Sequence, residues 1–117
     1  VMSFRENSLK RYLKKHAEII FDAMPEDEMI QDHIEDEICY KEILKDYESG
    51  NPAAWFCAKV VASWEGVESD PEYLGCCSYS SLEEFKQDSY YANMVEDTLN
   101  NLVEKLIGIH SALSRIL

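Results

Sequence analysis

Ala53-Ala54-Trp55-Phe56-Cys57-Ala58-Lys59-Val60-Val61-Ala62-Ser63-Trp64 is the stretch on which the fold turns. Phe56, Ala58, Val60, Ala62 and Trp64 alternate with Trp55, Cys57, Lys59, Val61 and Ser63. A period of two in Trp, Phe and Val predicts a strand, because successive side chains on a pleated backbone point to opposite faces. Both faces are largely apolar, so the strand is expected to be partly covered on each side. Glu65 to Glu72 reads as a hairpin loop, with Gly66 and Asp70-Pro71 as turn residues. Tyr73 to Tyr79 reads as the returning strand, where Gly75 marks a bulge or a close backbone approach.

Upstream of this hairpin the spacing is helical. Ser3-Phe4-Arg5-Glu6 fits a capping box. Phe4, Leu9, Leu13, Ala17, Ile20 and Phe21 follow at helix-face intervals, which predicts a first helix running to about Ala23. Pro25 suits the first turn of a second helix, and Glu26, Asp27 and Glu28 complement its positive end. Ile30, Ile34 and Ile38, then Lys41 or Leu44 and Tyr47, are its expected buried stripe, and Ser49-Gly50 its stop. The near absence of a connection makes these two an antiparallel helical hairpin. Downstream, Ser81-Leu82-Glu83-Glu84 is a second capping box, with a break expected near Asp88 to Tyr91. Val95, Leu99, Leu102, Leu106, Ile109, Leu113 and Ile116 then step 4, 3, 4, 3, 4, 3, a heptad-like stripe on a long C-terminal helix. The expected fold is therefore α+β: a helical hairpin, a two-stranded antiparallel β-hairpin and a long C-terminal helix, α-α-β-β-α. At 117 residues, positions 1–117 are expected to form a single domain.

Charge is the most unusual property of the chain. There are 23 Asp and Glu against 11 Lys and Arg, a formal net charge of −12. Residues 25–48 carry ten acids and two lysines, and residues 65–97 carry nine acids and Lys86. Such a field repels nucleic acid and anionic membrane and steers toward basic partners. No apolar run is long enough for a membrane span, and no apolar signal core opens the sequence, so the expected compartment is the cytoplasm.

Specific chemistry finds little support. Cys39, Cys57, Cys76 and Cys77 form no C-x-x-C pair and read as reduced, small apolar residues. Asp32, His33, Asp36 and Glu37 lie close in sequence, but the Glu-x-x-His pairs of a carboxylate-bridged metal site are absent, so no metal is expected. His16, His33 and His110 offer partners for a Cys-His nucleophile, yet no local motif assembles one. The scattered glycines make no phosphate-cradling loop, and no cofactor is expected.

Two surfaces remain. Glu28, Asp32, Glu35, Asp36, Glu42 and Asp46 can form carboxylate rows on the second helix, either as a solvated face or as an imitation of DNA phosphates that occupies the basic groove of a nucleic-acid-binding enzyme. The stripe of Leu99, Leu102, Leu106, Ile109 and Leu113, with Val61 on the strand, is the candidate for self-association; its plainer reading is packing against the chain's own elements.

Trp55-Phe56, Trp64-Glu65-Gly66, Tyr73-Leu74-Gly75-Cys76-Cys77-Ser78-Tyr79 and Glu84-Phe85 resemble the landmarks of small acidic proteins of uncharacterised function carried on bacterial plasmids and related mobile elements. The resemblance spans residues 8–95 and brings no catalytic residues. It implies an accessory role, including inhibition of a host defence system. The expected function is thus a non-enzymatic interaction protein that uses its acidic surface on a basic protein partner, without direct nucleic acid or membrane binding, and as a homodimer. The alternative is a self-associating structural module, and an unrecognised small enzyme stands third.

Overall fold

The structure is a computed structural model describing Val1–Leu117. Ser3 caps the first helix, α1 (Phe4–His16), by accepting the Glu6 N–H at 3.2 Å, and Glu6 returns a carboxylate to the Ser3 N–H. The capping box is thus formed as the sequence predicts. Lys14 and Lys15 occupy the last turn, where cations meet the negative end of the helix dipole.

The helix stops there, seven residues short of the predicted end. Ala17 is extended and Glu18–Met24 forms a strand, β1. Its burial alternates, with Glu18, Ile20 and Asp22 outward and Ile19, Phe21 and Ala23 turned in. Adjacent β-branched Ile19 and Ile20 favour a pleated backbone over a helix. Ile20, expected in the core, is 40% exposed.

The second helix is also shorter than predicted. Residues 25–36 are irregular apart from a 3₁₀ turn at Ile30–Asp32, and α2 covers Glu37–Glu48. A helix begun at Pro25 would stack Glu28, Asp32 and Asp36 at four-residue intervals, and like charges so placed destabilise it. Asp36 supplies the cap instead, accepting the Cys39 N–H at 3.0 Å. The isoleucine stripe is therefore broken: Ile30 is buried, Ile34 half-buried and Ile38 71% exposed. Gly50, at φ +95°, follows α2 in the left-handed conformation that glycine adopts without strain.

The decisive strand is present as β2 (Phe56–Trp64). Glu65 and Gly66 both have positive φ and make a two-residue turn into β3 (Val67–Glu68), with Ser63 opposite Glu68 and Trp64 opposite Val67. The returning chain is interrupted at Ser69–Pro71 and resumes as β4 (Glu72–Cys77). At the interruption the Ser69 N–H donates to the Ala62 carbonyl, and the Ser69 hydroxyl accepts the Ala62 N–H. The antiparallel sheet has four strands, not two: β1, β2 and β3 lie in that order and β4 also pairs with β2. β2 is consequently interior to the sheet. With β1 between α1 and α2, the order is not α-α-β-β-α, and no helical hairpin opens the chain.

Ser81 starts the short helix α3 (Leu82–Lys86). Asp88 provides the expected break, its carboxylate accepting the Tyr90 N–H at 3.1 Å, and α4 runs Ser89–Ser114.

The chain divides into two units: Val1–Ile20 with Val60–Glu72 and Asn93–Leu117, and Phe21–Lys59 with Tyr73–Ala92. The first packs Leu13, Ala62, Leu99, Leu102 and Val103, flanked by Leu9, Ile19, Trp64 and Leu106. Lys10 and Lys14 pair with Glu96, and Lys105 pairs with Asp70 at 2.8 Å. The second is built on rings. Phe85 is fully buried against Phe21, Phe56, Tyr79 and Tyr91, with centroids 5.1–5.8 Å apart and mostly edge-to-face.

Candidate functional site

The two units differ in charge far more than in size. The second carries fourteen carboxylates and four lysines, a net −10, while the first carries nine carboxylates and seven basic side chains, a net −2. The acidity of the chain is therefore a property of one unit.

Five of the six carboxylates expected to form the acidic surface are exposed: Glu28, Asp32, Glu35, Asp36 and Glu42. They do not form the predicted helical rows. Glu28 and Glu35 lie on irregular backbone, Asp32 ends the 3₁₀ turn, Asp36 caps α2, and only Glu42 and Asp46 belong to the helix. Asp46 is half-buried and accepts the Asn51 side-chain amide at 2.6 Å. The Cys39 N–H, with lesser help from Ile38, holds the Asp36 carboxyl below the usual aspartate range. These carboxylates have few local partners. Lys41 pairs with Glu37 at 3.0 Å, and His33 stands 3.6 Å from Glu28, a pair that counts only when the imidazole is protonated.

Residues 26–31 and α2 line an open cavity of about 280 Å³ beside this surface. Tyr40, Leu44 and Tyr47 project from one face of α2 at intervals of four and three residues. Trp55 forms the floor; it is 5% exposed, and its indole N–H donates to the Glu28 carbonyl at 2.8 Å. Tyr40 is steadied by donating its hydroxyl to Gln31. Glu26 turns away toward β4. Its carboxylate accepts the Cys76 N–H at 2.5 Å and occupies the space a side chain at Gly75 would need, 2.8 Å from the position of a Cβ. At Gly75, expected to mark a bulge or a close backbone approach, the crowding comes instead from the Glu26 side chain. Burial raises the Glu26 pKa, but donors at Cys76, Glu28 and Asp27 outweigh it and leave the group more acidic than usual.

The thiols are poorly placed for nucleophilic chemistry. All four cysteines are free. Burial, followed by the Glu26 carboxylate, pushes Cys76 up to about 11, and burial pushes Cys77 to about 11. Burial likewise raises Cys57, and the charge of Asp36 raises Cys39. An activated thiol needs the opposite environment, electropositive and stabilising to the thiolate. No group of three or more His, Cys, Asp or Glu side chains is arranged to hold a metal ion.

The residues expected to mediate self-association are divided by burial. Val61, Leu99 and Leu102 are buried within the chain, Leu106 is half-buried, and Ile109 and Leu113 are 44% and 46% exposed. Val61 lies on interior strand β2, so neither its side chain nor that strand's edges are free for a second copy. The first half of the α4 stripe is spent on the chain's own core. Tyr47, expected in the buried stripe of the second helix, is 53% exposed, and the cavity that it shares with Tyr40 and Trp55 has no signal in sequence spacing, because Trp55 is placed there by a hydrogen bond to a residue 27 positions away. No helix is long and apolar enough to cross a membrane. No protein-family model, no curated protein and no solved structure matches this chain.

Proposed function

We propose that this chain is a non-enzymatic interaction protein of a bacterial mobile element, and that its second unit binds a basic protein partner. The observation that carries the reading is the concentration of fourteen carboxylates against four lysines in that unit, with Glu28, Asp32, Glu35, Asp36 and Glu42 open to solvent. A field of one sign raises the encounter rate with an oppositely charged surface and rejects like-charged ones. Imitation of DNA is the special case in which the partner's basic surface is a nucleic-acid groove.

The test is capture from a bacterial lysate across a salt series, using the native chain and a variant with those five carboxylates changed to the matching amides. A basic protein retained at low salt, released at moderate salt and not retained by the variant is the expected result. Competition by duplex DNA would assign the captured surface to nucleic-acid binding. Capture indifferent to both salt and the five substitutions would reject the proposal.

A second reading is favoured by the exposed end of α4, where Ile109, Leu113 and Ile116 are 44%, 46% and 78% exposed. Under it the chain self-associates through that stripe. Light scattering decides it: 13.5 kDa is the monomer, and twice that mass, abolished by Leu113→Glu, is the dimer.

A further inference from the structure

We propose that the cavity lined by Tyr40, Tyr47 and Trp55 receives an arginine side chain of the basic partner, with the guanidinium against an aromatic face and Asp27 and Glu28 among the residues beside it. The inference rests on the acidic-surface reading and gives that surface a specific point of contact. At about 280 Å³ the hollow is large enough to take one long side chain. Its walls and its charge ask for one chemistry. A planar, weakly hydrated cation stacks on aromatic faces and offers several donors to carboxylates, whereas a compact ammonium does less of both. An anionic occupant would face the net −10 of the unit, and a purely apolar one would gain nothing from the acids beside the aromatic lining. The walls are held before any ligand arrives. The indole of Trp55 is tied to the Glu28 carbonyl, Tyr40 is tied to Gln31, and Tyr40 and Tyr47 ride on one rigid helix. Such preorganisation lowers the entropy lost on binding. Tyr47 and Met29, at 53% and 56% exposed, stand at the mouth.

The experiment titrates the native chain with hexa-arginine and hexa-lysine peptides at low salt. The readout is the indole N–H resonance of Trp55, distinguished from that of Trp64 with Trp64→Phe. The expected result is that hexa-arginine shifts the Trp55 indole and binds about fivefold tighter than hexa-lysine. Tyr47→Ala, at an exposed position and checked for folding by circular dichroism, should erase that preference, and so should Glu28→Gln. If both peptides bind equally, leave the Trp55 indole unmoved and ignore Tyr47→Ala, the pocket is overturned while the acidic surface stands. If neither peptide binds, both the pocket and the acidic-surface reading fail.

Discussion

The two units solve the same packing problem with different materials. One buries Leu13, Ala62, Leu99, Leu102 and Val103, drawn mainly from the regular face of α4, and balances its surface charge with pairs such as Lys10–Glu96 and Lys105–Asp70. The other has no long helix and a net charge of −10. It is centred on Phe85, ringed by Phe21, Phe56, Tyr79 and Tyr91. Rings bury more area per side chain than aliphatics and lock by edge-to-face geometry, so a few of them can hold irregular backbone together under electrostatic repulsion. A core of this kind can carry an acidic surface that a balanced surface elsewhere in the chain does not need.

The hardest break in that comparison is Phe85→Ala. It should cost about 3–5 kcal/mol, against about 2–5 kcal/mol for Leu102→Ala, both read by chemical denaturation. The units can be followed separately, because Trp55 lies in the acidic one and Trp64 in the other. Single-tryptophan variants should show Phe85→Ala lowering the Trp55 midpoint at least as far as that of Trp64, and Leu102→Ala doing the reverse. Ser69→Ala is the next largest. It leaves the Ala62 N–H without its acceptor in a buried strand and should cost about 1–3 kcal/mol by the same measurement.

Acid sharpens the contrast through its sign. The hydrogen bond and charge of Lys10 hold the Glu96 pKa below its ordinary value near 4.5, and Lys105 does the same for Asp70. A depressed carboxylate pKa contributes stability that is complete above the unfolded value and is lost as pH falls through the folded one. Trp64 should therefore report progressive destabilisation as pH drops below about 4.5. In the acidic unit the similar losses at Glu26, Asp36 and Asp88 are offset by the repulsion that protonation removes, so Trp55 should respond less. The smallest effect is that of salt. Raising it from 0.02 to 0.3 M, values chosen to span roughly 20 to 5 Å of screening length, should raise the Trp55 midpoint and leave that of Trp64 level or slightly lowered. A fall at Trp55 would contradict the picture of a self-repelling unit.

The strand at 56–64 was legible because period-two alternation in Trp, Phe and Val has no helical counterpart, and the Ser3 box and Gly50 stop are local signals that survive folding. β1 was hidden because Ala17, Ile20 and Phe21 continue the helical spacing of Leu9 and Leu13, although the alternation of Ile19, Phe21 and Ala23 was available beside it. Pro25 looked like a helix start, and Asp36 was the better one once like charges four residues apart were weighed. The exposure of Glu28, Asp32, Glu35, Asp36 and Glu42 followed from their chemistry alone. The cavity beside them did not, since Trp55 was read as one face of a strand, while in the structure it precedes β2 and reaches back to Glu28.

The interior position of β2 has a consequence for synthesis. Its neighbour β1 leaves the ribosome more than thirty residues earlier, and β3 and β4 follow it. At about 5–20 residues per second, β1 waits on the order of seconds for the strand it pairs with. During that interval Ile19, Ile20 and Phe21 form a short apolar segment with an unpaired edge. Cations at 10–15 precede it and acids at 26–28 follow it, and such flanking charge discourages nascent chains from joining one another. Loss of the flanking charge at 10–15 or 26–28 is expected to show first in the yield of soluble chain during synthesis, before any change in the stability of the folded form.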